Sequence, residues 1–534
     1  MLTEKRSTGW KALAVSATVA MVATVGGTMV VADSAFAKTD MDKLTLGGDA
    51  KVKYEVRTGA TFGSSKSNLS AAASRIRINV GYDLTPDVSF FVQLQDARKW
   101  GSENCSFVGT TGVGAGAGLG GCNPGAIGTV ATVGKANQYG TGVDLHQGYI
   151  LVKNILHQGL SLKLGRQEIA FGDHRLFGTD TWSMVGNAFD AVRLTHSAPM
   201  ADVDLFWARL SDNNGTTFGS GTGTGPESGV FFPEAGRFAT QDQDLYGAYV
   251  TLKPAEKWTV EPYYFWLNDW RSSVGRAAIT DPQAADQSRS TWGGRISGKT
   301  GGLDLTTEAA YQFGSIASGG LTGGKRERIN AHAETAKIGY TFEPVPMKPR
   351  LGFEFNYASG DNDNNKATPA GAVNQHRGNF NTFENLFPTN HGRMGYMDLM
   401  AWKNMVSYAA VFDVKPSEKS KLEVKFSILR LANKQDNWYR GQQVIYATSC
   451  STGVAACGGR ANEAASLGQE MAVHYWVTLK ERFKLEFGYG HFFAGEYLRK
   501  SRPQALSAGQ ARSTATFTEN GDQDWGYVMA KVEF

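Results

Sequence analysis

The sequence predicts an all-β fold, a transmembrane antiparallel β-barrel of about eighteen strands. Three observations predict it. Long segments alternate apolar and polar residues with a period of two. Short connectors alternate with long Gly/Ser/Thr/Asn-rich ones. The closing segment Tyr527–Phe534 reads as a strand, with Val528, Ala530, Val532 and Phe534 on one face and Tyr527, Met529, Lys531 and Glu533 on the other.

In chain order, Lys5, Arg6 and Lys11 precede the apolar run 12–31, and Ala35-Phe36-Ala37 has the small-x-small form of a signal-peptidase site. We therefore expect residues 1–37 to be a cleaved signal peptide and 38–534 to be a single barrel domain. An uncleaved anchor is the competing expectation. The first strand follows, with Leu44, Leu46, Ala50, Val52, Tyr54 and Val56 opposite Asp49, Lys51, Lys53, Glu55 and Arg57. Residues 75–84 repeat the pattern, with Ile76, Ile78, Val80, Tyr82 and Leu84 against Arg75, Arg77, Asn79 and Asp83. One apolar and one charged face suit a sheet between lipid and water. Thr85-Pro86-Asp87 is a tight turn into a strand at 88–94, and further strands centre on Tyr149, Leu162, Val192, Leu205, Ala248, Val260, Gly294, Leu305, Ile338, Phe353, Tyr408, Val424, Val473, Phe487 and Val528. Residues 146–153 and 291–298 alternate poorly.

The connectors are sorted by length. Short ones occur at Lys253-Pro254-Ala255-Glu256, Lys415-Pro416-Ser417-Glu418 and Lys480-Glu481-Arg482, and long ones span 101–142, 212–243, 360–403 and 430–469. Outer-membrane barrels carry short turns on the periplasmic side and long loops outside. The composition, 41% hydrophobic with 64 glycines, excludes a helical membrane protein and suits a barrel with a polar interior. At this strand number the interior is wide enough for an aqueous channel rather than a packed core. A net charge of +4 gives no case for nucleic acid as a partner.

Residues 164–178, LGRQEIAFGDHRLFG, followed by Trp182 and Phe189-Asp-Ala-Val-Arg-Leu194, resemble the signature of alginate-export outer-membrane porins. Phe387-Pro-Thr-Asn-His-Gly392 with Gly395-Tyr-Met-Asp-Leu399, and Leu485-Glu-Phe-Gly-Tyr-Gly-His-Phe-Phe-Ala-Gly-Glu-Tyr497, are similar to two further blocks of that family. The resemblance implies an eighteen-stranded monomeric barrel in the outer membrane of a Gram-negative-type envelope. Its founding members pass an anionic uronate polysaccharide outward through an arginine-lined constriction. Fold does not carry function with it, so the residues are weighed separately.

Lys51, Lys53, Arg57, Arg75, Arg77, Lys163 and Arg193 fall on the charged faces of their strands, and Arg166 and Arg175 sit at or just beyond a strand end. These nine are the candidates for pore lining and anion selectivity, because cations around a narrow low-dielectric passage concentrate anions. Asp49, Glu55, Asp83, Asp204, Glu261, Asp304, Glu308, Glu354, Glu423, Glu470 and Glu486 share the expected lumen face, so pairing could cancel the field. The acids thin out in the first third of the chain, where a positive stretch is expected.

Nothing points to an enzyme, a cofactor or a metal centre. His146, His196, His474 and His491 are isolated in sequence. There is no Cys-x-x-Cys-His for haem. The Gly112–Gly121 stretch lacks the Lys-Ser/Thr of a phosphate loop, and Asp361-Asn-Asp-Asn-Asn365 lacks the glycine and glutamate of a calcium loop. The leading functional expectation is a passive channel for polar, anionic solutes or oligo- and polysaccharides, in contact with outer-membrane lipid. The competing one is a structural or partner barrel, such as a sheath around a periplasmic electron-transfer or secretion component. The four cysteines bracket two loops and are expected to pair locally, Cys105 with Cys122 and Cys450 with Cys457. Mass mapping of the unreduced protein should recover both links; a crosslink between the two loops, or four reactive thiols, refutes the pairing.

Overall fold

The computed structural model describes residues 41–59, 68–100, 143–211, 243–269, 287–317, 326–362, 379–440, 443–447, 464–500, 504–505 and 521–534. The expected signal peptide, all four cysteines, Gly112–Gly121 and residues 363–365 lie outside them. Eighteen antiparallel strands among the described residues close into one barrel. They are β1 (Leu44–Thr58), β2 (Leu69–Asp83), β3 (Val88–Lys99), β4 (Asp144–Val152), β5 (Leu160–Gln167), β6 (Phe189–Ser197), β7 (Ala201–Ser211), β8 (Gln243–Ala255), β9 (Trp258–Asp269), β10 (Gln287–Thr300), β11 (Leu303–Ala317), β12 (Arg326–Thr341), β13 (Arg350–Ala358), β14 (Met405–Ser417), β15 (Ser420–Arg430), β16 (Ser466–Lys480), β17 (Phe483–Ala494) and β18 (Gln523–Glu533). Every expected strand centre falls inside one of them.

Each strand pairs with its sequence neighbour, and β1 pairs with β18 from Asp49↔Glu533 to Thr58↔Asp524. The last residue continues that seam. Gly48 N donates to Phe534 O at 2.8 Å and Phe534 N to Gly48 O at 3.0 Å. A Cβ on Gly48 would stand 2.2 Å from Arg77 O and 2.7 Å from the Phe534 ring, so the closing aromatic requires glycine opposite it.

Alternation sets the faces as expected. Leu46, Tyr54 and Ile78 are 65, 50 and 49% exposed on the outside, while Lys51, Lys53, Arg77 and Lys425 turn inward and are buried. The two poorly alternating stretches have local causes. A bulge at Gln93/Leu94 offsets the β3–β4 register. In β10 a Cβ at Gly298 would strike the Trp258 ring and one at Gly293 the Tyr263 ring, so rings from β9 replace the side chains that would show the period. All even-to-odd connections are short, from Leu84–Asp87 to Glu481–Arg482. The odd-to-even ones include every long segment, so the loops are sorted by side.

The long connectors 360–403 and 430–469 depart from expectation in their described parts, and the connector after β5 turns inward with them. Residues 168–188, 359–362, 379–404 and 431–440 do not stay outside; they fold against the inner wall. Phe177 and Phe387 form an isolated parallel bridge, with Gly178 N donating to Phe387 O at 2.9 Å and Phe387 N to Leu176 O at 2.8 Å. Around this seam Ile169, Phe177, Phe383, Met397 and Trp402 pack with the inward residues Phe206, Leu245, Phe265 and Trp525. Part of the interior is therefore a packed apolar core rather than open water. The physical reason is composition: 379–404 carries Phe380, Phe383, Leu386, Phe387, Met394, Tyr396, Met397, Leu399, Met400 and Trp402, which a solvated loop would expose.

Arginine at the outward Val80 should hinder assembly, with a penalty of about 2–4 kcal/mol near the bilayer midplane. Asn79→Arg, on the inward face beside Gln93, should be tolerated. The heat-modifiable gel shift of the folded barrel reads both, and equal tolerance contradicts the assigned faces.

Candidate functional site

The inner connectors are fixed to the wall at named points. Leaving β5, Gln167 folds its amide back onto the carbonyls of Gly165 and Ala191, both at 3.1 Å, and turns the chain inward. Asp173 then crosses to β10 and β12, accepting from Arg295 at 2.8 Å and Lys337 at 2.7 Å. Arg295 also pairs with Glu261, and Arg393 of the second connector donates to the Asp173 carbonyl at 2.8 Å. Burial alone would raise the Asp173 carboxyl, but Lys337 and Arg295 outweigh it and hold it below its ordinary value. Burial and the neighbouring Arg393 push His174 down.

On the opposite side, cations of β1 and β2 grip the connectors by their main chain. Lys51 donates to Thr181 O. Arg77 donates to Val185 O at 3.1 Å, and Arg57 to Met397 O at 2.7 Å. The Lys53 ammonium sits 3.6 Å over the Trp182 ring, which stacks on His391 at 3.7 Å. His391 Nδ1 lies 2.9 Å from Asp398, and this partner keeps the half-buried Asp398 carboxyl low although desolvation pushes it up. Tyr396 donates to Glu423 at 2.6 Å; burial first, then that carboxylate, raises its hydroxyl. Tyr527, which donates to Glu486 and lies 2.9 Å from His474 Nδ1, completes an aromatic and histidine cluster on the wall made by β16–β18.

The nine candidate cations are thus distributed unequally. Lys51, Lys53, Arg57, Arg75 and Arg77 stand together on β1 and β2, and Lys163 and Arg193 are cross-strand neighbours on β5 and β6. Arg75 pairs with Asp49 at 2.5 Å, Lys53 with Glu55 at 3.2 Å, Arg77 with Glu168 at 3.3 Å and Arg193 with Asp204 at 2.8 Å. Lys51, Arg57 and Lys163 have no carboxylate within ion-pair distance among the described residues. A bond to a carbonyl, or a ring face in the case of Lys163 over Tyr149 at 4.3 Å, places no carboxylate directly against these cations.

Arg166 does not join them. It shares the outward face of Leu164 and Val192 and pairs with Asp190 at 3.1 Å, because the lumen side of β5 is carried by the odd positions Lys163, Gly165 and Gln167. Arg175 is inside but 1% exposed, 5.4 Å over the Trp402 ring and bonded to Met394 Sδ at 3.7 Å. Burial pushes its guanidinium down, and it is part of the packed core rather than a free lining. Sequence reasoning missed Asp173, Arg295, Lys337, Glu168 and Arg393. Asp173-His174-Arg175 inside the signature was the available signal, three ionisable residues between two apolar runs.

Among the described residues no group of three or more His, Cys, Asp or Glu could hold a metal ion. Asp361, the start of the calcium-like stretch, instead accepts from Asn381 N at 3.0 Å and donates its own N–H to Asp436 at 2.8 Å. Burial raises the Asp436 carboxyl, which also accepts from Thr382 at 2.6 Å and Tyr439 at 2.8 Å, the bonding of a structural carboxylate.

No curated protein matches the sequence. Among solved structures, the chain is similar to OccAB2 of Acinetobacter baumannii, at 10% identity and a TM-score of 0.49 over 92% of this chain and 98% of that one. It is similar to a BenF-like porin from Pseudomonas fluorescens Pf-5, at 9% identity and 0.47 over 92% and 99%. A third is Pseudomonas aeruginosa OpdK with vanillate, at 10% and 0.45 over 92% and 98%. The alginate export family profile matches residues 42–510, most of the chain. The protein, a closed eighteen-strand barrel of the outer membrane with a channel fold, belongs to the alginate export family.

Proposed function

We propose that the protein is a passive outer-membrane channel for polar solutes that favours anions, including carboxylate-bearing oligosaccharides. The observation that carries this reading is the surplus of cations on the lumen face of β1–β6. Lys51, Lys53, Arg57, Arg75, Arg77, Lys163 and Arg193 stand there against Asp49, Glu55 and Asp83 on the same strands, with Glu168 and Asp204 adjacent. In β9–β17 the inward acids Glu261, Asp269, Asp304, Glu308, Glu327, Glu354, Asp413, Glu423, Glu470 and Glu486 outnumber the inward bases Arg289, Arg295, Lys299, Lys337, Arg350, Lys421, Lys425 and Lys484. The field of the unmatched cations, beside connectors that narrow the bore, raises the local concentration of anions. The sheath reading has less support, because the connectors occupy interior that a sheath would keep for its partner.

The Asp173 contacts to Arg295 and Lys337 would act as a latch for the first connector. Since this carboxyl is held low, its contribution is fully present above the ordinary Asp value of about 3.9 and is lost only as pH falls through the lower folded value. The latch should therefore stay shut from about pH 4.5 to pH 7. Asp173→Asn should give a higher and noisier single-channel conductance across that whole range in a planar bilayer. A trace identical to wild type removes the latch.

Ion selectivity tests the function itself. Reversal potentials in a salt gradient should show anion preference that weakens between ~0.1 M and ~1 M salt, as the screening length falls from about 10 to about 3 Å. Lys163→Glu together with Lys53→Glu should reduce or reverse it. Cation preference in the wild-type pore, or a preference untouched by both substitutions, leaves only a non-selective channel or a structural barrel.

A further inference from the structure

On the outward face, where the barrel closes, β1, β16, β17 and β18 leave an open groove of about 490 Å³. Its lining is apolar and aromatic: Tyr54, Val473, Tyr475, Phe487, Tyr489 and Val528 surround the bare backbone of Gly526. Tyr54, Tyr489 and Val528 are 50, 52 and 44% exposed, so these side chains face the membrane and not the bore.

Packing does not require the glycine that opens this groove. A Cβ at Gly526 would meet only Gly488 O, at 3.6 Å, an ordinary contact, and its backbone is not in the left-handed region. Gly488, one strand away, is the contrast: a Cβ there would lie 2.1 Å from the Tyr527 ring inside the barrel. Gly488 serves the core, whereas Gly526 leaves space that a larger side chain could fill without displacing anything.

The groove also has a polar upper end. Asp524, on the same outward face two residues toward the long-loop side, accepts from Tyr489 Oη at 2.6 Å and from Thr58 Oγ1 at 3.3 Å. His491 Nδ1 lies 2.8 Å from the same carboxylate. Hydrogen-bonded groups of this kind belong at the level of lipid headgroups, with hydrocarbon below. Water would find no partners in the apolar space beneath them.

We infer that the groove is a lipid site: one acyl chain of an outer-leaflet glycolipid lies along Gly526, with the sugar head against Asp524 and His491. The outer leaflet follows from the position toward the long-loop, extracellular side, and the glycolipid from the match of sugar hydroxyls to a carboxylate and an imidazole. Lipid tails are as apolar as the wall, so selection rests on close van der Waals fit and on those polar contacts. This site is independent of what passes through the bore.

Native mass spectrometry of the detergent-purified protein, titrated with lipid A or with phosphatidylethanolamine, tests it. The wild type should retain one lipid A in preference to phosphatidylethanolamine. Gly526→Leu should weaken that retention about tenfold while keeping the heat-modifiable gel shift and the wild-type conductance. Asp524→Asn with His491→Ala should lower the preference for lipid A without filling the groove. Equal retention of the two lipids, lipid A binding untouched by Gly526→Leu, or a dimer of this chain that Gly526→Leu dissolves, overturns the inference.

Discussion

Within hydrocarbon no water is at hand to take up a backbone N–H or C=O, so a membrane sheet has to bond its first strand to its last. In this chain that bond is the β1–β18 ladder, extended by the Gly48–Phe534 pair. Much else follows from it. Eighteen strands around one axis leave a bore too wide for wall side chains alone to fill. The interior must then be either water or chain, and here the described parts of several connectors supply the chain. Their apolar residues need a lining that is locally apolar, which explains why β7–β9 present Phe206, Leu245 and Phe265 inward while β1 and β2 present lysine and arginine.

Most of the wall was legible in the sequence, because a face that alternates between lipid and lumen imprints a period of two on each strand. The exceptions are instructive. At β10 glycines accommodate rings from β9, and at β4 a bulge shifts the phase, so the period blurs although the strands are present. The long connectors 360–403 and 430–469 were misread in position where they are described. Length and the Gly/Asn content of its first part made 360–403 look external, while the aromatic and methionine content of its second half spoke for burial. No sequence period records which way a loop turns when its partners are distant; Phe177 and Phe387 meet across 210 positions. The same limit applies to Arg166, whose outward face depends on the β5–β6 register and not on the motif that contains it.

The resemblance blocks acquire a physical meaning once folded. Residues 164–178 and 387–399 are the two halves of one internal structure: Thr389 N donates to His174 O at 2.9 Å, Asp180 N to Thr389 Oγ1 at 2.8 Å, and Trp182 lies flat on His391. Buried polar groups in such an arrangement are costly to leave unpaired, so removing one partner harms more than the net worth of the bond. The wall cations serve two ends at once. Lys51, Arg57 and Arg77 hold main-chain oxygens in place, and the same ammonium and guanidinium groups belong to the cations to which the proposed anion preference is ascribed.

The anchoring has a mechanical side. The first connector is tied to β10 and β12 through Asp173, to β1 through Thr181 and to β2 through Val185, so it spans the bore like a tie rod between distant staves. A hollow cylinder of hydrogen-bonded strands resists stretching along its circumference but flattens readily into an ellipse. One strutted from within does not. Lateral pressure from the bilayer is then borne by the crosspiece as well as by the wall, and any deformation of the cylinder is carried directly to the segment that crosses its interior.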